Sequence, residues 1–209
     1  TAETKGEFVT VRANYTLPDG QTLPIDFAID GVGRCDITMT WRGEKTELPE
    51  FGLLFPLRRE LTEVSYLGLG PWETTADRTA GGKMGAWSYN VRQDFAQNTP
   101  VYPQECGSRT GVYRADLTGT IPGIGFASGS GMTFSALPYT PHELENARHL
   151  YQLPRDDSKT IVRCALFQRG VGGDNSWGAT PHEDACFAVE KGTAFHFLVQ
   201  KSNYRNLHF

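Results

Sequence analysis

Apolar and polar residues alternate with a period of two along several short stretches of the chain, a pattern typical of β-strands that bury one face. The first three stretches are residues 7–15, 23–29 and 37–41, and turn sequences that contain glycine separate them. Such short strands and turns predict an antiparallel sandwich or barrel. Further strands are predicted at residues 111–118, 131–136, 161–168, 186–189 and 193–200.

One segment has the signals of a helix. Thr140 and Glu143 have the spacing of a capping box, and Pro141 stands at the first helical position. Pro154 would end the helix, because the residue before a proline is disfavoured in the helical conformation. We therefore predict one short helix near residues 141–153. Two segments, 68–87 and 98–109, are predicted to be long loops, which in compact domains often have a function.

Composition describes a folded globular protein. The chain has 209 residues, of which 39% are hydrophobic and 21% charged. We find no repeat and no linker-like boundary, so we predict a single β-sandwich domain over residues 1–209, in which residues 1–45 would form an N-terminal layer of strands. Because the chain begins without Met, we expect it to be a fragment of a larger protein.

Charge, hydropathy and cysteine spacing argue against several classes of protein. The net charge is −4 and no basic stripe appears, so nucleic acid is not an expected partner. No apolar run approaches the ~18 residues of a membrane helix. Cys35, Cys106, Cys164 and Cys186 form no C-x-x-C pair, which disfavours zinc and redox sites. Cys164 is predicted to be a buried thiol, and two disulfides are the alternative for an exported protein.

Residues 170–178 have the sequence GVGGDNSWG, in which one aromatic side chain follows glycines and short polar residues. A rigid loop of this kind suits a sugar ring, which has an apolar face and a rim of hydroxyl groups. The alternative is a tight hairpin loop whose tryptophan, Trp177, packs on the edge of the sheet.

Loop carboxylates and one histidine are candidates for chemistry. A glycosidase needs two carboxyl groups about 5–9 Å apart, and Glu73 and Glu105 are one such candidate pair. The alternative is that they form ion pairs with Arg78 or Arg109. The histidines lack the spacing of a metal site. His149 is either a structural residue or a general acid–base.

Several motifs occur together in an order and spacing that resemble one known family. They are LPEFG at 48–52, YLGLGPWE at 66–73, DR at 77–78, PQECG at 103–107, FSA at 134–136, YT at 139–140, Leu144, His149 and GVGGDNSW at 170–177. As an ordered set they resemble the C-terminal domain of lac-type β-galactosidases, glycoside hydrolase family 2. Some bacteria carry this region as a separate small subunit. The resemblance covers about residues 48–200.

The resemblance implies a fold and a division of labour. The fold is an antiparallel β-supersandwich similar to that of galactose mutarotase. The catalytic glutamates of the family belong to a TIM-barrel domain that this chain lacks, so no catalytic residue is expected here. The full-length protein would hydrolyse terminal β-D-galactosides such as lactose, and the isolated chain would be inactive.

The resemblance also assigns roles to particular residues. The tryptophan that matches Trp177 stacks on the sugar at the mouth of the active site. The residues that would support its loop are Gly172, Gly173, Asp174, Asn175 and Ser176. The residues that would form a structural polar network are Glu73, Asp77, Arg78, Glu105 and His149.

The implied partners are a galactoside substrate and the catalytic domain or large subunit of the same enzyme, in a homo-oligomer when full length. Neither nucleic acid nor a membrane is expected. No metal or cofactor is expected in this chain, although the full enzyme would use Mg²⁺ and Na⁺. Two alternatives stay open: an aldose mutarotase with His149 and Glu105 as its acid–base pair, and a stand-alone carbohydrate-binding module.

Overall fold

A computed structural model describes residues 1–155, 158–175 and 177–202 of the chain. In this part of the chain two α-helices, α1 (Val91–Asn98) and α2 (Pro141–Glu145), accompany thirteen strands. The strands are β1 (Ala2–Lys5), β2 (Phe8–Thr16), β3 (Thr22–Ile29), β4 (Cys35–Thr40), β5 (Thr46–Leu48), β6 (Glu50–Arg58), β7 (Leu61–Gly70), β8 (Lys83–Asn90), β9 (Arg109–Gly119), β10 (Ile124–Leu137), β11 (Lys159–Gln168), β12 (Phe187–Val189) and β13 (Ala194–Lys201). No helix among the described residues is long and apolar enough to cross a membrane.

Eleven strands form one antiparallel sheet, which confirms the prediction of an all-β fold. Nine of them follow the order β1-β2-β3-β4-β13-β10-β9-β7-β8, while β11 pairs with β10 and β6 with β11. β10 connects the β11–β6 pair to the other strands of the sheet, because its beginning pairs with β13 and its end pairs with β11. A register shift against β9 lies between these two regions, at residues 127–132. β5 and β12 form a separate pair.

Aromatic side chains show where the layers meet. The Phe55 ring of β6 lies 5.4 Å from that of Phe126 in β10 and 6.0 Å from that of Phe197 in β13, measured between centroids. β6 therefore packs across the strands of the main sheet, as in a sandwich. A second, smaller apolar cluster surrounds Leu144 and fastens α2 to the end of β10 through Leu137.

The helix predicted near residues 141–153 begins where the sequence places it and ends earlier. The capping box at its start is present, but α2 ends at Glu145. The Asn146 amide donates to the carbonyl of His142 at 2.8 Å and so satisfies the end of the helix. Leu150–Gln152 then form a separate 3-10 turn.

The loop predicted over residues 68–87 is shorter, because β7 and β8 occupy both of its ends. Gly68 and Gly85 are paired residues within these strands. A Cβ atom at Gly68 would lie 2.8 Å from a methyl carbon of Val112, so packing requires glycine there. β1, β5, β6 and α1 were not predicted either. All four cysteines are free thiols, and Cys164 is buried as predicted.

Candidate functional site

The loop that carries Trp177 leaves β11 and projects its aromatic side chain into solvent. Trp177 is 93% exposed, whereas Trp41 is buried in the core at 5%. The side chain therefore does not pack on the edge of the sheet, which was the structural alternative for this motif. Ser176, predicted to support the loop, lies outside the described residues.

Asp77 anchors the base of this loop. One oxygen of its carboxylate accepts a hydrogen bond from the backbone N–H of Gly172 at 2.7 Å, and the other accepts from the Thr75 hydroxyl at 2.7 Å. Burial alone would raise the pKa of Asp77, but these hydrogen bonds and one from the Val171 N–H outweigh it, so that the pKa is lowered. Asp77 is therefore held as an anion that fixes the loop.

Contacts within the loop define its shape. Gly172 has a φ of 68°, and a Cβ atom there would lie 2.3 Å from the carbonyl oxygen of Ala179, so only glycine fits. The N–H of Gly173 donates to the same carbonyl at 2.9 Å. The Asn175 side chain accepts from the N–H of Trp177 at 2.8 Å. The backbone on both sides of the loop is thus tied together.

A charged pair closes the outer rim of the loop. The His182 ring forms an ion pair with the Asp174 carboxylate, and both side chains are well exposed. The hydrogen bond to Asp174 raises the pKa of His182, because the carboxylate favours the charged imidazolium. The charge on the rim of the loop therefore changes with pH as His182 titrates.

Glu73 and Arg78 connect the segment that contains Asp77 to the neighbouring loop at residues 99–108. Arg78 pairs with Glu73 at 2.9 Å between Nη2 and Oε1, and its Nε donates to the Thr75 hydroxyl at 3.3 Å. The second oxygen of Glu73 accepts from the N–H of Gly107 at 2.5 Å. Both oxygens of Glu73 are therefore engaged in contacts that hold loops.

Glu105, two residues before Gly107, belongs to a second group of polar contacts. It forms an ion pair with the buried guanidinium of Arg163, whose Nε lies 3.0 Å from an oxygen of Glu50. It also accepts from the Gln168 side-chain amide, and Gln168 in turn accepts from the Ser108 hydroxyl at 2.8 Å. Through residues 105–108 these contacts adjoin those of Glu73.

His149 lies apart from the other four residues predicted to form the polar network. Its ring stacks on Tyr151, with centroids 5.2 Å apart and an angle of 13° between the planes. No hydrogen bond or ion pair among the described residues joins it to Glu105. The acid–base pair that a mutarotase would need is therefore not assembled from these two residues.

The sequence does not predict one buried ion pair. Arg109 pairs with Asp94 at 2.7 Å between Nη2 and Oδ1, with both side chains almost fully buried. Its guanidinium also donates to the carbonyl of Gly107 at 2.8 Å and lies 4.8 Å from the centroid of the Tyr89 ring. Arg109 was recognised as a possible partner of loop carboxylates, but Asp94 belongs to α1, a helix whose weak apolar pattern gave no signal.

A cleft of about 290 Å³ lies between the segment that contains Asp77 and strands β9, β10 and β11. Its lining includes Ala76, Thr110, Gln168 and two stacked rings, Phe167 and Phe187, 5.0 Å apart. The lining contains no charged side chain and no histidine. It offers apolar surface and a few hydrogen-bonding groups but no acid or base. In the described part of the chain, no three His, Cys, Asp or Glu side chains lie close enough together to hold a metal ion.

Comparisons with known proteins agree with the resemblance seen in the motifs. A family model described as "Beta galactosidase small chain" matches residues 1–199. The chain is 36% identical to a β-galactosidase of Lactobacillus delbrueckii subsp. bulgaricus over 95% of its own length and 20% of that protein. It is 33% identical to a β-galactosidase small subunit of Latilactobacillus sakei, over 82% of its own length and 57% of that chain.

The chain thus spans about a fifth of the length of the first relative. Among solved structures, it is similar to a putative aldose 1-epimerase of Escherichia coli K12, with a TM-score of 0.42 and 11% identity over 94% of this chain and 65% of that one. Similarity at this level assigns no activity.

Proposed function

This chain belongs to the family of β-galactosidase small chains, and from that premise we propose that it completes the sugar site of a β-galactosidase. In this proposal the chain belongs either to the C-terminal region of the enzyme or to a separate small subunit. It contributes Trp177 as a platform for the galactosyl ring, while the reacting groups come from another part of the protein.

The observation that carries the proposal is the combination of exposure and anchoring at Trp177. An indole that is 93% exposed leaves a large apolar surface in water. Its loop is nevertheless fixed at the base by Asp77 and closed by the bond between Gly173 and Ala179. An exposed aromatic plate on a fixed loop suits a ligand that has a flat apolar face, such as a pyranose ring.

The proposed role of the chain is to position the sugar, because its loop carboxylates are engaged in ion pairs and hydrogen bonds within the chain. Glu73 is held by Arg78 and Gly107, and Glu105 by Arg163, so neither is placed as a free acid or nucleophile. The catalytic glutamates, and the Mg²⁺ and Na⁺ of the enzyme, would belong to a part of the enzyme outside this chain. Terminal β-D-galactosides such as lactose are the proposed substrates.

Stacking on Trp177 should act mainly on binding. Burying an aromatic side chain against a sugar contributes roughly 1–3 kcal/mol by analogy with a buried apolar side chain. If the sugar stacks equally in the ground state and the transition state, its loss raises KM and leaves kcat nearly unchanged.

The test is Trp177→Ala in the intact enzyme with lactose as substrate. We expect kcat/KM to fall by about five- to 150-fold, mostly through KM, which is the range that 1–3 kcal/mol corresponds to. Tyr151→Ala is the matched control, because it removes an aromatic side chain that is also well exposed, on the 3-10 turn. Unchanged KM and kcat in Trp177→Ala would show that the indole does not contact the substrate.

A further inference from the structure

The rim of the Trp177 loop carries two charged groups that the stacking proposal does not use. Asp174 stands three positions before the indole, and His182 stands on the returning segment of the loop. The Nε2 atom of His182 pairs with Oδ2 of Asp174 across the loop. An imidazole and a carboxylate are therefore held side by side on the loop that also presents the indole.

Both members of this pair keep a free polar atom at the surface. The side chains of His182 and Asp174 are 70% and 61% exposed. Among the residues that the structure describes, no hydrogen bond engages Oδ1 of Asp174 or Nδ1 of His182. One carboxylate oxygen and one ring nitrogen consequently stay available to a ligand.

The loop is already fixed without the pair. Asp77 holds its base through the N–H of Gly172. The N–H of Gly173 closes the loop by donating to the carbonyl of Ala179. An ion pair between two exposed side chains adds little to stability, because water competes with it and ordering both side chains costs entropy. Holding the loop therefore does not explain why two charged groups stand beside an exposed indole.

The chemistry of the pair complements the hydroxyl groups of a sugar. Each hydroxyl donates one hydrogen bond and accepts others, whereas a carboxylate only accepts and an imidazolium only donates. Asp174 raises the pKa of His182, which favours the imidazolium and with it an N–H at Nδ1. The pair thus offers one acceptor and one donor next to each other, which suits two neighbouring hydroxyl groups.

We propose that Asp174 and His182 are substrate-binding residues, which bind two neighbouring hydroxyl groups of the galactosyl ring that stacks on Trp177. This inference rests on the proposed function and extends it. Oδ1 of Asp174 accepts from one hydroxyl group, and the Nδ1–H of His182 donates to the next. The indole alone favours any flat apolar ring, whereas the pair makes the site specific for a sugar.

These contacts act in the intact enzyme. In open water, a hydrogen bond between the pair and a hydroxyl group replaces bonds that both already make to water, so its net contribution is small. The same bond is stronger once the rest of the active site excludes water. The isolated chain therefore still lacks measurable affinity for galactose or lactose.

Matched substitutions in the intact enzyme test the contact. We expect His182→Ala and Asp174→Ala each to raise KM for lactose by about three- to tenfold, because each removes a hydrogen bond that involves a charged group. His196→Ala is the control and should leave KM unchanged. His196 also forms an ion pair, with Asp36, and is exposed to a similar extent, but it lies between two paired strands of the sheet. Unchanged KM in both loop variants would overturn the proposal.

Substrates that lack single hydroxyl groups separate contact with the sugar from positioning of the loop. The probes are p-nitrophenyl β-D-galactosides, each without one hydroxyl group of the galactosyl ring. The loss of kcat/KM in His182→Ala should disappear for the substrate that lacks the contacted hydroxyl and persist for the others. For Asp174→Ala it should disappear when the neighbouring hydroxyl is missing. An equal loss on every substrate, or no loss on any of them, would overturn the proposal.

The two proposals fail separately. A raised KM in Trp177→Ala, with an unchanged KM in both rim variants, would reject only the contact made by the pair. Unchanged kinetics in Trp177→Ala, together with a loss in His182→Ala that depends on one hydroxyl group, would reject only the stacking role.

Discussion

The carboxylate of Asp77 accepts a hydrogen bond from the backbone N–H of Gly172, 95 positions later in the chain, at 2.7 Å between Oδ2 and N. This contact joins the segment between β7 and β8 to the loop that presents Trp177. The carboxylate thereby ties down the base of the loop on which the exposed Trp177 stands. Asp77 is in this sense a positioning residue for the proposed sugar platform.

Asp77→Asn should therefore weaken substrate binding through Trp177. A hydrogen bond to a charged group contributes ~1.5–3 kcal/mol, part of which water recovers, so we expect KM for lactose in the intact enzyme to rise by about threefold to tenfold. A double-mutant cycle supplies the control: adding Asp77→Asn to Trp177→Ala should have little further effect on KM. Additive effects of the two substitutions would mean that Asp77 acts on something other than the indole.

The pKa of His182 should lie above its ordinary value of 6.5, because Asp174 stabilises the imidazolium. NMR titration of the ring measures it, and Asp174→Asn should bring it back towards 6.5. Since the pKa is raised in the folded state, the pair stabilises the loop fully below pH 6.5, and this stabilisation is lost as the pH rises through the folded-state pKa. Equal pKa values in the two proteins would contradict the pairing.

Breaking the buried pair of Arg109 and Asp94 should destabilise the fold strongly. Removing one partner leaves a buried charge without its counterpart, which costs about 3–5 kcal/mol. We expect this loss in the free energy of unfolding of Asp94→Ala, measured by urea denaturation. Glu60→Gln is the comparison, because its ion pair with Arg58 is exposed to solvent and should contribute little to the free energy of unfolding. Similar losses in both variants would show that the buried pair is not special.

Much of the sheet was predictable because its pattern is local. β2, β3 and β4 alternate apolar and polar residues, and a period of two is visible without knowledge of neighbours. The strands that were missed depend on contacts across the sheet. Gly68 and Gly85 resemble loop residues in sequence, yet the side chain of Val112 occupies the space that a Cβ at Gly68 would need. Glycine there reflects tertiary packing, which periodicity does not report.

In the candidate site, too, local sequence predicts some features and tertiary packing decides the others. The composition of residues 170–178 identifies an unusual loop, and the ordered motifs predict a polar network near it. Which residues touch is a matter of topology: Glu73 and Asp77 reach loops that are distant in sequence, whereas His149 turns to Tyr151 because α2 ends at Glu145. A helix that continued to residue 153 would have oriented His149 differently.

The isolated chain should bind neither galactose nor lactose measurably and should not interconvert galactose anomers. Stacking on one indole contributes roughly 1–3 kcal/mol, and at 1 M standard state 4.1 kcal/mol corresponds to a Kd of only about 1 mM. Half a site of this kind therefore does not hold a sugar by itself.

Titration calorimetry with both sugars checks the binding, and polarimetry of α-galactose checks the isomerisation. Affinity near 1 mM or tighter would favour a stand-alone carbohydrate-binding module. Mutarotation that His149→Ala abolishes would instead favour an epimerase, although His149 and Glu105 are engaged with separate partners in this structure.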